Sequence, residues 1–464
     1  GLASFGALSV DLTGAKQLTA TSGALPSATS ASFTVSAAAA AALSFQVQPS
    51  SVVAGVAIAP AVQVKVADAF GNGVAGSSVA LALVGTGTLS DAAPVATDAN
   101  GLATFSALSV NLTGSKQLTA TSGALPSATS SSFTVSAAAA AALSFQVQPS
   151  SVVAGVAIAP AVQVKVVDAF GNGVSGNSVA LALVGTGTLS GAAPVATDGN
   201  GLASFSALSV NLVGAKQLTA TSGALPSATS ASFTVSAAAA ATLSFQVQPS
   251  SVVAGVAIAP AVQVKVVDAF GNGVGGSSVA LALVGTGTLS GAAPVATDVN
   301  GLATFNALSV NLAGAKQLTA TSGALSSATS ASFTVSAAAA TALSFQVQPS
   351  NAVAGVAIAP AVEVKVTDTF GNSVSGRSVS LALVGTGALS GAAPVATDVN
   401  GLATFSALSV NLAGAKQLTA TSGAVPPATS TSFTVSAAAA TALSFQIQPS
   451  SVVAGVAISP AVQV

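Results

Sequence analysis

Leu143–Val174 reads LSFQVQPSSVVAGVAIAPAVQVKVVDAFGNGV, and nearly the same letters stand at 43–74, 243–274 and 343–374. The first half returns at 443–464, and everything between two copies also returns. The 464-residue chain is therefore one unit of 100 residues written again and again. A period of that length settles the architecture before any motif is considered. Each unit has ordinary domain size and is long enough to bury a core of its own.

Within a unit the apolar residues alternate with polar ones. Leu143, Phe145 and Val147 alternate with Ser144 and Gln146, and Val162, Val164 and Val166 with Gln163 and Lys165. Leu208, Val210 and Leu212 alternate with Ser209 and Asn211, and Phe233 and Val235 flank Thr234. Period-two alternation sends one row into a core and the other into solvent, which predicts half-buried strands. Val179, Leu181 and Leu183 alternate with Ala180 and Ala182, so both rows of that strand are apolar and it is expected to be covered on both faces. Turn residues separate the runs: Pro149-Ser150, Phe170-Gly171-Asn172-Gly173, Gly185-Thr186-Gly187 and Asp198-Gly199-Asn200-Gly201. About seven short strands at 8–12-residue spacing, with no helical period, predict an all-β chain of tandem sandwiches. Phe145, Phe205 and Phe233 are the expected large core members.

These breaks divide the chain into four complete sandwiches, 42–137, 142–237, 242–337 and 342–437. A partial repeat of closing strands stands at 1–36, and one of opening strands at 442–464. The Ala run between units is too short for an isolated helix, which needs about 12–15 residues. Ser136–Ala142 is instead expected to be a brief extended connector that limits bending, so that the units string into a rod or filament. Neither end supplies the positions equivalent to 65–100, so the two partial repeats cannot complete one another, and a window on a longer chain is expected.

The frame LSFQVQPSSVVAG…VQVKVVDAFGNGV…GTLSG…ATDGNGLASFSALSVNL…LTATSGALPSATSASFTV resembles the tandem bacterial Ig-like repeats related to the invasin and intimin type. The resemblance covers the whole chain and rests on the Asp-x-x-Gly-Asn and Asp-x-Asn-Gly turns within a β-rich frame. It implies extracellular stalk, adhesin or fibre modules without enzymatic activity. Members of that family often carry an aromatic residue before the Leu-Thr-Ala strand, where this chain has Gln117, Gln217, Gln317 and Gln417. With no Tyr in the chain, a corner pinned by a buried tyrosine hydroxyl is missing, and the packing there must differ.

The inventory of side chains bounds the chemistry. There is no His, Cys, Trp, Tyr or Met, so the usual catalytic bases, thiol nucleophiles, disulfides and zinc ligands are lacking. No catalytic residue, cofactor site or metal site is therefore assigned. Calcium is the sharpest alternative, because Asp168, Asn172, Asp198 and Asn200 place oxygens in loops. The plainer reading is that these side chains bond their own backbone while Gly takes positive φ. Lys165 and Lys216 recur once per unit and are read as solvated outward residues that discourage edge pairing, with a binding stripe as the alternative. The sequon Asn111-Leu112-Thr113 is read as accidental, since Val213 stands at the Thr position one unit later. Glu363 and Arg377 replace uncharged residues of the other units, and no role is assigned to them.

Charged residues make up 5% of the chain, with a net charge of −1. That excludes the basic footprint of a nucleic-acid binder. Apolar stretches such as Val152–Val164 are broken by Gly155 and Pro160 and are shorter than the roughly 20 residues of a membrane span. A surface this weakly charged is expected either to carry glycans on Ser and Thr or to associate with copies of itself, laterally or helically. The function these features imply is a structural segment of an extracellular bacterial fibre. The alternative is an adhesin stalk whose repeats contact a glycan or host protein.

Overall fold

A computed structural model describes residues 1–464, and every regular element in it is a β-strand. The chain falls into two compact units, Gly1–Ala237 and Ala238–Val464.

The last repeat of the first unit shows the common plan. Its strands are β1 (Ala140–Val147), β2 (Val152–Val153), β3 (Val162–Asp168), β4 (Ser178–Val184), β5 (Leu189–Ser190) and β6 (Val195–Ala196). They continue with β7 (Leu202–Phe205), β8 (Ser209–Val210), β9 (Gly214–Thr221), β10 (Ala228–Thr229) and β11 (Phe233–Ser236). One sheet has the order β1-β3-β7, all antiparallel. The other has the order β2-β11-β9-β4-β6, with β10 added on β9. A short β5-β8 ladder lies beside them. The first strand is divided between the sheets. After β1 the chain meets Pro149, which has no N–H to give a ladder, and β2 then pairs in parallel with β11, Val152 opposite Val235. Two antiparallel sheets joined by a first strand that changes sides, its second half parallel to the last strand, form an immunoglobulin-like sandwich.

The core follows the alternation. Val162, Val164, Val166, Val179, Leu208, Val210, Leu218 and Ala220 are fully buried, while Gln163 and Lys165 lie on the opposite row of β3. Each of these Val and Leu side chains contributes about 1.5–3 kcal/mol by leaving water. Three expectations need correction. Phe205 and Phe233 are buried, but Phe145 is only half-buried, because β1 bulges between Phe145 and Val147 and turns away toward the second sheet. β4 is covered on one face only: Val179 and Leu181 are buried, Ala180 is half-buried and Ala182 exposed. The expected connector Ser136–Ala142 is largely strand. Ser136 closes the preceding repeat's last strand and Ala140–Ala142 open β1, with Ala140 opposite Asp168. Alanine takes the extended conformation here because β3 offers it a ladder.

The second unit repeats this plan in the strands of 240–336 and 340–436. In its last repeat the counterpart of β10 lengthens to Val425–Thr429, where two prolines favour extended backbone. The partial repeats form only fragments: two short ladders within 1–36, and an isolated bridge between Ile447 and Gln463.

Because each repeat has its own core, Leu218→Ala is expected to cost that repeat about 2–5 kcal/mol and to leave the preceding one untouched. Peptide-resolved hydrogen exchange in increasing urea checks this: peptides of 142–237 should open early, and those of 42–137 at the parent's denaturant concentration.

Candidate functional site at the repeat junction

Asp168 and Asn172, two of the four side chains singled out for calcium, come together at the boundary between repeats and lock it. β3 has its inward row at Val162, Val164 and Val166, and the same parity places Asp168 inward at the strand's end, 3% exposed. The chain then turns at once. Gly171 (φ 85°) donates its N–H to the Asp168 carbonyl at 3.1 Å, and the Asp168 N–H returns to the Asn172 carbonyl at 2.9 Å. Asp168 Oδ1 accepts the N–H groups of Phe170 and Asn172, both at 2.9 Å. Its Oδ2 accepts the Asn172 side-chain amide at 2.8 Å and the N–H of Ala138, in the link from the preceding repeat, at 2.9 Å. Two donors on each oxygen fill the lone pairs of the carboxylate.

Asn172 completes the clasp. Its Nδ2 also donates to the carbonyl of Asn111 in the preceding repeat at 2.8 Å, and its Oδ1 accepts the Thr113 N–H at 3.0 Å. The ring of Phe170 lies against Gly55 of that repeat, so closely that a Cβ at position 55 would collide with it. Gly55 also has φ 76°, which disfavours any L side chain. The same clasp recurs in the second unit, where Asn372 bonds the Asn311 carbonyl at 2.9 Å and the Ala313 N–H at 2.8 Å, Ala338 N–H reaches Asp368, and Phe370 covers Gly255. It recurs again where the N-terminal partial repeat meets the next, through Asn72, Thr13 and the Asp11 carbonyl. The preceding repeat contributes only backbone groups at these positions. That explains why position 113 is free to be Thr, Val or Ala in different units. Within the sequon, Asn111 Oδ1 accepts the Thr88 N–H at 2.7 Å and braces the turn.

The lysine reading changes. Lys165 stays on the outward row of β3, but Lys216 is 3% exposed, and its counterpart Lys116 2%. In β9 the inward row runs Lys216, Leu218, Ala220, and this parity was legible in the sequence. Lys116 Nζ donates to Thr86 Oγ1 and to the Thr113 carbonyl, both at 3.1 Å. The buried ammonium therefore holds the same residue whose N–H reaches across to Asn172. Gln117 stands where an aromatic was expected and donates instead to the Ser130 carbonyl at 3.1 Å.

The second acidic turn is separate. Asp198 Oδ1 accepts the N–H groups of Asn200 and Leu202, both at 2.8 Å, and Gly201 takes φ 77°. The Leu202 N–H is the main reason that its carboxyl is held below the ordinary range. No three His, Cys, Asp or Glu side chains converge.

Burial acts to raise the Asp68 carboxyl, but the Asn72 amide and the N–H groups of Ala38, Asn72 and Phe70 together outweigh it and bring it down from 3.8 to about 2. Asp168, with the corresponding donors, is lowered in the same way.

No protein-family model matches the sequence, and no curated protein sequence matches it. Among solved structures the chain is similar to FdeC, an Escherichia coli adhesin, at 20% identity over 64% of this chain and 96% of that one, with a TM-score of 0.35. It is similar to invasin, a bacterial integrin-binding protein, at 17% identity over 85% of this chain and 79% of that one, TM-score 0.36. Domains 4–9 of the surface-layer protein SbsC match at 16% identity over 86% of this chain and 66% of that one, TM-score 0.22.

A carboxyl lowered by folding contributes stability that is present above its unfolded value and lost as pH falls through the folded one. The clasp at Asp68 is therefore expected to hold through neutral and mildly acidic pH and to open between 3.8 and about 2. The exchange rate of the Ala38 amide across an acid titration measures this. Because N–H groups fill the carboxylate, a chelator is expected to leave the Ala38 and Ala138 exchange rates unchanged; faster exchange on chelation would reveal a bound cation.

Proposed function

We propose that the chain is a non-enzymatic structural segment of an extracellular bacterial fibre, stalk or surface filament, in which the repeats act as mechanical spacers. The observation that carries this reading is the clasp itself. A junction made from the turn at the start of one repeat and the backbone of the previous one, recurring with the same partners, makes the angle between neighbours a property of the sequence. An enzyme or a flexible linker has no need of such a joint.

The strand order within a repeat supports the same reading. β2 and β11 are parallel neighbours. Tension on the two ends pulls them in opposite directions along their shared ladder, so its hydrogen bonds are sheared together rather than opened one at a time. The side chains available for chemistry agree, since His and Cys are both lacking. Lateral or helical association of copies belongs to this reading, because the surface offers little charge repulsion. The adhesin alternative places binding in the repeats themselves. Its partner would be a glycan or a host protein.

Stretching the chain between its ends in a single-molecule force experiment tests the mechanical role. Each of the four complete repeats is expected to unfold as a separate event, releasing on the order of 300 Å of extended chain per event at about 3.3–3.6 Å per residue. Extension without discrete events would show that the repeats do not bear tension as units. Labelling of intact source cells with antibody against the chain tests the location, and signal only after lysis would overturn it.

A further inference from the structure

The junction asparagine is followed by glycine at Asn72-Gly73 and Asn172-Gly173, and by serine at Asn372-Ser373. The two halves of the dipeptide have separate structural causes. Asn172 supplies the amide that spans the junction. Gly173 fits its close approach to the neighbouring turn, where a Cβ built on this backbone would run into Asn200, although the repeat with Ser373 accommodates one. Together they create a dipeptide in which the backbone nitrogen that follows the side-chain amide is unhindered by a Cβ. Asparagine is a chemically labile residue for this kind of reason.

We propose that Asn172, like its counterpart Asn72, is a deamidation site whose conversion to a carboxylate unlocks the junction. Gly173 N attacks Asn172 Cγ. The new N–Cγ bond closes a succinimide, the Cγ–Nδ2 bond breaks, and Nδ2 leaves as ammonia with the proton given up by Gly173 N. Water then opens the ring. Addition at Cγ leaves aspartate in an ordinary chain, and addition at the backbone carbonyl carbon leaves an isoaspartyl link. Nothing is oxidised or reduced.

The consequence follows from the hydrogen bonds. Nδ2 donates to Asp168 Oδ2 and to the Asn111 carbonyl, each at 2.8 Å. A carboxylate oxygen in its place faces two acceptors with nothing to give, and one of them is charged. Asn172 is 6% exposed and Asp168 3%, so water does not relieve the repulsion. Like charges this close cannot both persist out of water. The pair must take up a proton or the junction must open. The charged groups around it are Asp168 itself, Lys116 behind the Thr113 carbonyl, Lys165 on the outward row of β3, and Asp198 in the adjoining turn. While the clasp is closed, the Asn172 side chain is held by three hydrogen bonds and is protected. The reaction therefore proceeds from the open junction, and its rate reports how often the junction opens.

The test ages the full chain at mildly alkaline pH and follows acid formation at positions 72, 172 and 372 by peptide mass spectrometry. Conversion at 72 and 172 is expected to outrun that at 372. Gly55→Ala, which disturbs the Phe170 contact, is expected to speed conversion at 172 and leave 372 unchanged. In parallel, N172D is expected to lose amide protection at Thr113 and Ala138 near neutral pH and to regain it on acidification, when the two carboxyls share a proton. The Leu218 amide should stay protected throughout, showing that the repeat is folded. Equal rates at 172 and 372 would overturn the proposal, as would an N172D junction as protected at neutral pH as the parent's. The rate comparison uses the unmutated residue, so it decides the question even where N172D fails to fold.

Discussion

A carboxylate withdrawn from water must have its lone pairs filled, and in this chain that requirement ties one repeat to the next. Asp168 ends a strand on the inward row, and its own turn supplies three of the four donors it needs. The fourth is the backbone N–H of Ala138, in the link between repeats. The carboxylate is satisfied only when that link is laid against β3, so the direction in which the chain arrives is built into the fold. Asn172, turned toward the previous repeat by the same tight turn, fixes the other side. Breaking either contact leaves one hydrogen-bonding position at the junction unfilled, at a cost of about 1–3 kcal/mol.

The sandwich was legible because burial and alternation coincide. Where Val162, Val164 and Val166 face inward, the row between them is polar, and no other register keeps the apolar row dry. The partial repeats show that the pattern alone is insufficient. Leu18 is 45% exposed where Leu118 is fully buried, and Phe33 38% where Phe133 is 3%. The letters are nearly identical, and what differs is the opposing sheet. Burial in these strands is a property of the pair of sheets.

The junction was harder to read, for reasons that differ by residue. Asp168 and Asn172 were noticed, but a turn formed by side chains bonding their own backbone and a turn that reaches across to another repeat have the same letters. The partners across the boundary are main-chain groups at 111, 113 and 138, and these leave no mark in a sequence. Phe170 carries a signal of its own. A large aromatic in the middle of an Asp-Ala-Phe-Gly-Asn turn lies outside its own core, and the ring of Phe170, still 43% exposed, rests on a neighbour. Gly55 is that neighbour, and nothing at position 55 by itself announces the role. The burial of Lys216 was legible in its own strand, where it stands two residues from Leu218 and four from Ala220. The general habit of lysines, which are almost never fully buried unless paired, points the other way.

These placements change the meaning of the low charge. The chain has 11 acidic residues. Eight of them are the turn aspartates 68, 98, 168, 198, 268, 298, 368 and 398, and the four at 68, 168, 268 and 368 are buried. Of the 10 basic residues, Lys116, Lys216, Lys316 and Lys416 are buried too. Much of the small stock of charge is thus used inside the protein, holding turns and junction backbone, and the solvent face is more nearly neutral than the composition suggests. A surface of Ser, Thr, Gln, Ala and Val gives neighbouring chains little to repel one another with. Exposed Val153 and Val156 beside the short edge strand β2, and Val184 at the end of β4, recur in every complete repeat. The order within the chain is therefore specified by a few buried charges, while the solvent face of each complete repeat presents the same few apolar side chains at the same positions.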